Sequence, residues 1–210
     1  MPDKFIQSLV ADFKPVGQLD NRQPWFAMAV LCCVAIAVVA ATMGLRADLL
    51  AGLPADVVLL RGGVVLMLGV ASLIAVVAYA RPNVGRHSDG WIWALAAAAL
   101  FPGIALLSAV EGRFPKDVLT APSGLVCLGV SVSIAIFMAA ALTLWVRRGA
   151  TVRVSLQSWL IGLSGGSFAT FCYSLHCTST TVIYAGFWYT GAIAMSAGIG
   201  RMVLPRVLKW

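Results

Sequence analysis

Six apolar stretches of about twenty residues each leave this chain one kind of solvent. They run from Trp25 to Gly44, Leu59 to Ala80, Trp91 to Val110, Ser123 to Val146, Leu156 to His176 and Val182 to Leu204. A helix of about 20 residues crosses the roughly 30 Å hydrocarbon core of a bilayer. Within that core the backbone must satisfy its own hydrogen bonds, which makes each stretch a helix. The charge content agrees: 11% of the 210 residues are charged, against about 25% in an ordinary soluble domain. The chain therefore predicts an all-α membrane protein with six transmembrane helices spanning 24–210, preceded by a tail, 1–23. The fifth stretch, rich in Ser, Thr and Gly, is the weakest of the six.

Basic residues set the orientation. Six crossings put both termini on one side, together with the second and fourth loops. That side holds Lys4, Lys14, Arg22, Arg81, Arg86, Arg147, Arg148, Arg153, Arg201, Arg206 and Lys209, eleven of the fifteen basic residues. The other side holds Arg46, Arg61, Arg113 and Lys116. Cytoplasmic loops carry the excess of Lys and Arg, so both termini are expected in the cytoplasm. The net charge of +7 is then a topology signal. Direct nucleic-acid binding is not expected, because no basic cluster exceeds two adjacent residues.

Other classes fall away. The longest polar segment is the tail, too short to bury a core of its own. No glycine-rich phosphate loop is present, only two histidines occur (His87 and His176), and nothing resembles a nucleophile-base-acid set. An enzyme is not expected. No acid lies within the six stretches, which counts against an ion-coupled transporter. Arg61 sits at the margin of the second stretch, where a long side chain can snorkel to the interface. Pro102-Gly103 predicts a kink in the third helix. Two small-residue stripes, Ser158-Gly162-Gly166 and Ala192-Ser196-Gly200, read as surfaces for close helix packing.

The five cysteines convert to depth at about 1.5 Å per helical residue. Cys32 and Cys33 lie inside the first helix and read as small buried packing residues. Cys127 lies one turn into the fourth helix from its periplasmic start, and Cys177 at the periplasmic exit of the fifth. Cys172 is five residues deeper and reads as structural. Two cysteines on different helices thus share one level beside an oxidising compartment, where disulfides persist. Soft metals also bind thiolates, which makes Cys127 and Cys177 candidate metal ligands and the adjacent His176 a candidate third. No resident cofactor is expected, only transient heavy-metal binding.

The tail reads "MPDKFIQSLVADFKPVGQLDNRQPW". On a helix, Phe5, Ile6, Leu9, Val10 and Phe13 fall within about 140° of arc, and Pro15 ends the run. A single helix this short is marginal in water and cannot bury its own stripe. It must lie on the membrane, fold back on the cytoplasmic loops, or enter a partner's groove.

Four segments resemble one family, the NrsF-type integral-membrane anti-sigma factors. They are the tail "FIQSLVADFKPVGQL" before a Trp-led first helix, the "RRGA" turn, "YSLHC", and the closing "WYTGAIAMSAGIGRMVLPRVLKW". They occur in order from the tail to the C-terminus, and the resemblance covers essentially the whole chain. The resemblance implies a multi-pass protein of the bacterial inner membrane that restrains an extracytoplasmic-function (ECF) sigma factor of the SigF type. It implies that the tail, with Phe5, Leu9 and Phe13, takes part in holding that partner. It also implies sensing by two cysteines, which fall on Cys127 and Cys177. One departure stands out: the family carries acids just after this cysteine, whereas here the segment is "TSTTVIY". Weaker cation binding, or a response mainly to oxidants, would follow. The competing reading is a membrane thiol-redox enzyme or small transporter using the same cysteines.

Overall fold

The computed structural model describes residues 20–52, 56–80, 90–111, 118, 122–149, 151, 153–179 and 181–208. The tail stripe of Phe5, Leu9 and Phe13 lies outside them. Among the described residues all regular structure is helical: α1 (Arg22–Met43), α2 (Ala47–Leu50), α3 (Asp56–Tyr79), α4 (Gly90–Ala98), α5 (Leu100–Val110), α6 (Pro122–Val146), α7 (Val154–Ser174) and α8 (Val182–Leu208). Four of these, α1, α3, α6 and α8, are long and apolar enough to cross a membrane.

The other two expected spans depart from that standard for different reasons. The third stretch is divided into α4 and α5 at Ala99. Proline lacks an N–H and its ring clashes with the carbonyl four residues back. For Pro102 that residue is Ala98, where α4 ends. The ladder resumes one residue later, with the Gly103 N–H on the Ala99 carbonyl at 3.0 Å.

The fifth stretch forms a continuous 21-residue helix, α7, that is less apolar because lipid is not its environment. It packs against α1, α3, α6 and α8, and almost every residue from Gln157 to Ser174 is buried. Small and hydroxyl-bearing side chains let four neighbours approach, and most of the serine hydroxyls are bonded to nearby carbonyls, while the Thr170 hydroxyl is buried without a partner. Ser158, Ser167 and Ser174 donate to carbonyls of α7 itself, at 2.7–2.8 Å. Two bonds cross to α3: Ser164 Oγ to the Gly69 carbonyl at 3.2 Å, and Gln157 Nε2 to the Val76 carbonyl at 2.9 Å.

The two small-residue stripes meet each other. A Cβ on Gly162 would stand 2.5 Å from the Ser196 carbonyl oxygen, and one on Gly200 2.8 Å from that of Ser158. Such contacts are closer than a methyl group permits, so the α7–α8 interface requires glycine at both positions.

The outer surface is the reverse of a soluble protein's. Phe26, Val30, Val34 and Val38 form an exposed stripe along α1, and Phe137 and Leu144 stand exposed on α6. Contiguous apolar surface on this scale marks a face for lipid or protein.

Candidate functional site

At one end of the bundle five segments converge: the α1–α3 connection, the first turns of α3, of α6 and of α8, and the chain leaving α7. The last carries the sequence Leu175-His176-Cys177, whose backbone has left the helix and needs partners. Two arginines supply them. Arg46, between α1 and α2, donates through Nη1 to the Cys177 carbonyl, and its own N–H bonds to the Leu175 carbonyl at 3.3 Å. Arg61, on α3, donates through Nη2 to the same Cys177 carbonyl at 2.9 Å and through Nη1 to the Ser179 carbonyl.

Arg61 corrects the snorkelling expectation. Its side chain is 1% exposed, turned into the bundle rather than out to an interface, because the Cys177 segment folds over the end of α3 and offers two carbonyls. Its guanidinium also lies 5.6 Å from the centre of the Tyr189 ring, a cation–π contact that gains strength where water is excluded. Arg46 differs in having a counter-charge: Nε bonds Asp48 at 2.8 Å. That contact raises the Arg46 pKa above its ordinary value.

The two cysteines singled out by depth lie toward the same end of the bundle, within electrostatic range of each other. Cys127, in the second turn of α6, and Cys177 are both buried free thiols, near enough to interact electrostatically with each other and, for Cys127, with Arg61. Hydroxyls surround them. Ser131 approaches the Cys127 sulfur, and Tyr184 and Tyr189 approach that of Cys177. None of these three hydroxyls has a partner in good hydrogen-bonding geometry, and neither has Arg61 Nε. Buried polar groups left in this state cost about 1–3 kcal/mol each. A negative charge or a strong acceptor appearing at either sulfur would be met by donors already in place.

Local backbone geometry explains how both tyrosines reach one sulfur. Residues five apart on an α-helix point about 140° from each other. Ala185–Tyr189 instead forms a π-turn, whose wider winding brings positions i and i+5 toward the same side. Tyr184 and Tyr189 accordingly sit edge to face, with ring centres 6.4 Å apart. The same turn sends Trp188 across the α6 start, where a Cβ on Gly124 would collide with its indole at 2.0 Å. Its Nε1 donates to the Val118 carbonyl at 2.8 Å.

The remaining sequence-predicted residues are placed differently. The His176 ring turns away to the Gly44 carbonyl, with Nδ1 at 2.8 Å. Among the described residues no three His, Cys, Asp or Glu side chains form a set able to hold a metal ion. Cys33 is exposed, not buried as expected, whereas Cys32 faces inward to Cys172, whose Sγ lies 3.9 Å from the Cys32 carbonyl. Because α1 is apolar all round, the sequence could not indicate which of two adjacent cysteines faces the bundle. Reading by depth also missed Arg46, Arg61, Tyr184 and Tyr189. A lone arginine within an apolar run and a Tyr pair at five-residue spacing were their only sequence traces.

Fold and site together define a helical protein with membrane-length apolar helices and a buried thiol cluster at one end of its bundle. The chain belongs to the NrsF family, the negative regulators of sigma F, whose family model matches residues 9–210. Comparison with curated proteins and with solved structures yields no match. Its family role is thus negative regulation of a sigma factor, a regulatory rather than catalytic task.

Proposed function

We propose that this protein is an inner-membrane anti-sigma factor that holds an ECF sigma factor at its cytoplasmic side. It releases that partner when Cys127 and Cys177 sense an oxidant or a soft heavy metal at the periplasmic side. The bundle crosses the bilayer six times in this reading, with α7 shielded by its neighbours and α4–α5 acting as one broken span. The observation that supports it is a pair of buried free thiols, Cys127 on α6 and Cys177 in the chain leaving α7, within electrostatic range of each other and among unpartnered donors, in a chain of a sigma-regulator family. On oxidation the two thiols would lose two protons and two electrons to the oxidant and form a disulfide. A thiophilic cation would instead displace the two protons.

Either event joins α6 to the end of α7. Because α7 is packed on every side, movement at one end carries to the other. Shifting a two-state equilibrium from 1:99 to 99:1 takes about 5.5 kcal/mol, and a disulfide contributes about 2–4 kcal/mol. The cross-link supplies a large share of the switch.

The test is transcription from a sigma-F-dependent promoter, with and without diamide or cadmium, in single-variant strains. Cys127→Ser and Cys177→Ser should each abolish induction and keep basal repression, while Cys33→Ser leaves both intact. Replacing Phe5, Leu9 and Phe13 together by Ser should raise output without inducer at normal protein abundance. Normal induction in the Cys177→Ser strain would remove the pair from the mechanism.

A further inference from the structure

The opposite end of the bundle holds a second feature with unused chemistry. A cavity of about 500 Å³ opens between α3, the α4–α5 break, α7 and α8, within the usual size of ligand sites, about 300–1,000 Å³. It exists because the third stretch is broken. α4 packs on α3 while α5 packs on the first turns of α8, and Pro102 lines the gap left between them. The walls are apolar, with Leu68, Leu163 and Ile193 among them, except for Thr190 at one end and Arg201 at the other.

Arg201 and Trp159 also line an adjoining cavity with Trp91, Ser155 and Arg153, so the two make one groove. Its mouth carries two arginines. Arg201 Nη1 donates to the Ser155 hydroxyl and carbonyl, both neutral oxygens. Among the described residues neither arginine is in an ion pair. Trp91 and Trp159 meet edge to face at 5.4 Å, and Trp91 Nε1 is buried there without a hydrogen-bond partner. Paired tryptophans and basic residues are the equipment of a membrane interface.

We infer that this groove binds one anionic phospholipid, with the headgroup phosphate at Arg153 and Arg201 and an acyl chain in the cavity. The inference rests on the membrane part of the function proposed above. Length argues for a lipid rather than a peptide. From Arg201 to Thr190 along α8 is about 16 Å at 1.5 Å per residue, roughly half of the 30 Å hydrocarbon core and thus one leaflet. Charge argues for an anionic one, since basic pockets between membrane helices recruit such headgroups. A lipid seated here would bridge α3, α4, α7 and α8 at the end where the partner is held.

The experiment is native mass spectrometry of the full-length protein released from mixed phosphatidylglycerol and phosphatidylcholine bilayers. The wild type should retain one phosphatidylglycerol in preference to phosphatidylcholine. Arg153→Gln and Arg201→Gln should each reduce that preference about fivefold, while Arg206→Gln, on the same end but outside the groove, leaves it unchanged. Gly198→Phe should abolish retention of either lipid. A Cβ at Gly198 meets nothing within 4 Å, so the ring enters the cavity and spares the helix contacts. Water-soluble glycerophosphoglycerol should not compete; competition by it would show a headgroup site without a chain site. Equal preference in wild type and the Arg153 and Arg201 variants, or equal loss in Arg206→Gln, would overturn the inference. Incorporation into bilayers without lipid preference defeats the lipid site alone, whereas failure to incorporate at all defeats the membrane reading beneath it.

Discussion

Arg61 shows how one residue ties the fold to the thiol site. A buried guanidinium with no carboxylate partner among the described residues is costly unless its donors are used. Two of them hold the Cys177 and Ser179 carbonyls, which fixes the cysteine's position at the end of the bundle that also carries Cys127. Arg61→Leu should therefore destabilise the protein by at least one charged hydrogen bond, about 1.5–3 kcal/mol, measured as a lower unfolding midpoint in detergent. It should also speed maleimide labelling of Cys177 in folded protein, because the segment loses its anchor. Arg61→Lys keeps the charge and loses the fork, so it should restore stability in part while labelling stays fast. Unchanged labelling in both variants would mean that Arg46 alone holds the loop. Depth along each helix was legible in the sequence, since helical rise turns position into level, and so the cysteine pair could be named. The anchoring arginine could not, because an arginine near the edge of an apolar run reads equally as snorkelling. Only the folded-over Cys177 segment decides between the two.

At the scale of elements, the α7–α8 contact rests on glycines that admit no methyl group. Gly162→Ala should force the two backbones apart and cost about 1–3 kcal/mol of overpacking. Gly63→Ala is the control, since a Cβ there meets nothing within 4 Å. It should be neutral or stabilising by up to about 1 kcal/mol, as alanine replaces glycine inside a helix. Equal unfolding midpoints for the two variants would contradict the close packing of α7 on α8. The two small-residue stripes announced that contact in the sequence, because their four-residue spacing places them on one helix face. The rank of α7 was not announced. Ser, Thr and Gly made it look like the weakest span, although a helix enclosed by four neighbours has no need of a lipid-facing surface. The division of the third span was legible only as a kink at Pro102-Gly103; the structure places the break at Ala98–Ala99, where the proline's steric clash falls.

For the whole molecule, the proposal separates input and output by the thickness of the bundle. The thiol cluster occupies one end, and Arg147, Arg148, Arg153 and Arg201 gather toward the other. Reporter fusions should place the segment after Arg148 and the C-terminus in the cytoplasm, and the segment around Asp117 in the periplasm. A periplasmic C-terminus would break the six-crossing topology. The central claim is that chemistry at Cys127 and Cys177 loosens a partner held at the far end. Its most direct measurement is the amount of sigma factor retained by the full-length protein in purified membranes, before and after diamide. The account predicts retention before treatment and release after it in the wild type, and retention throughout in Cys127→Ser and Cys177→Ser. Release that is undiminished in both serine variants would contradict it.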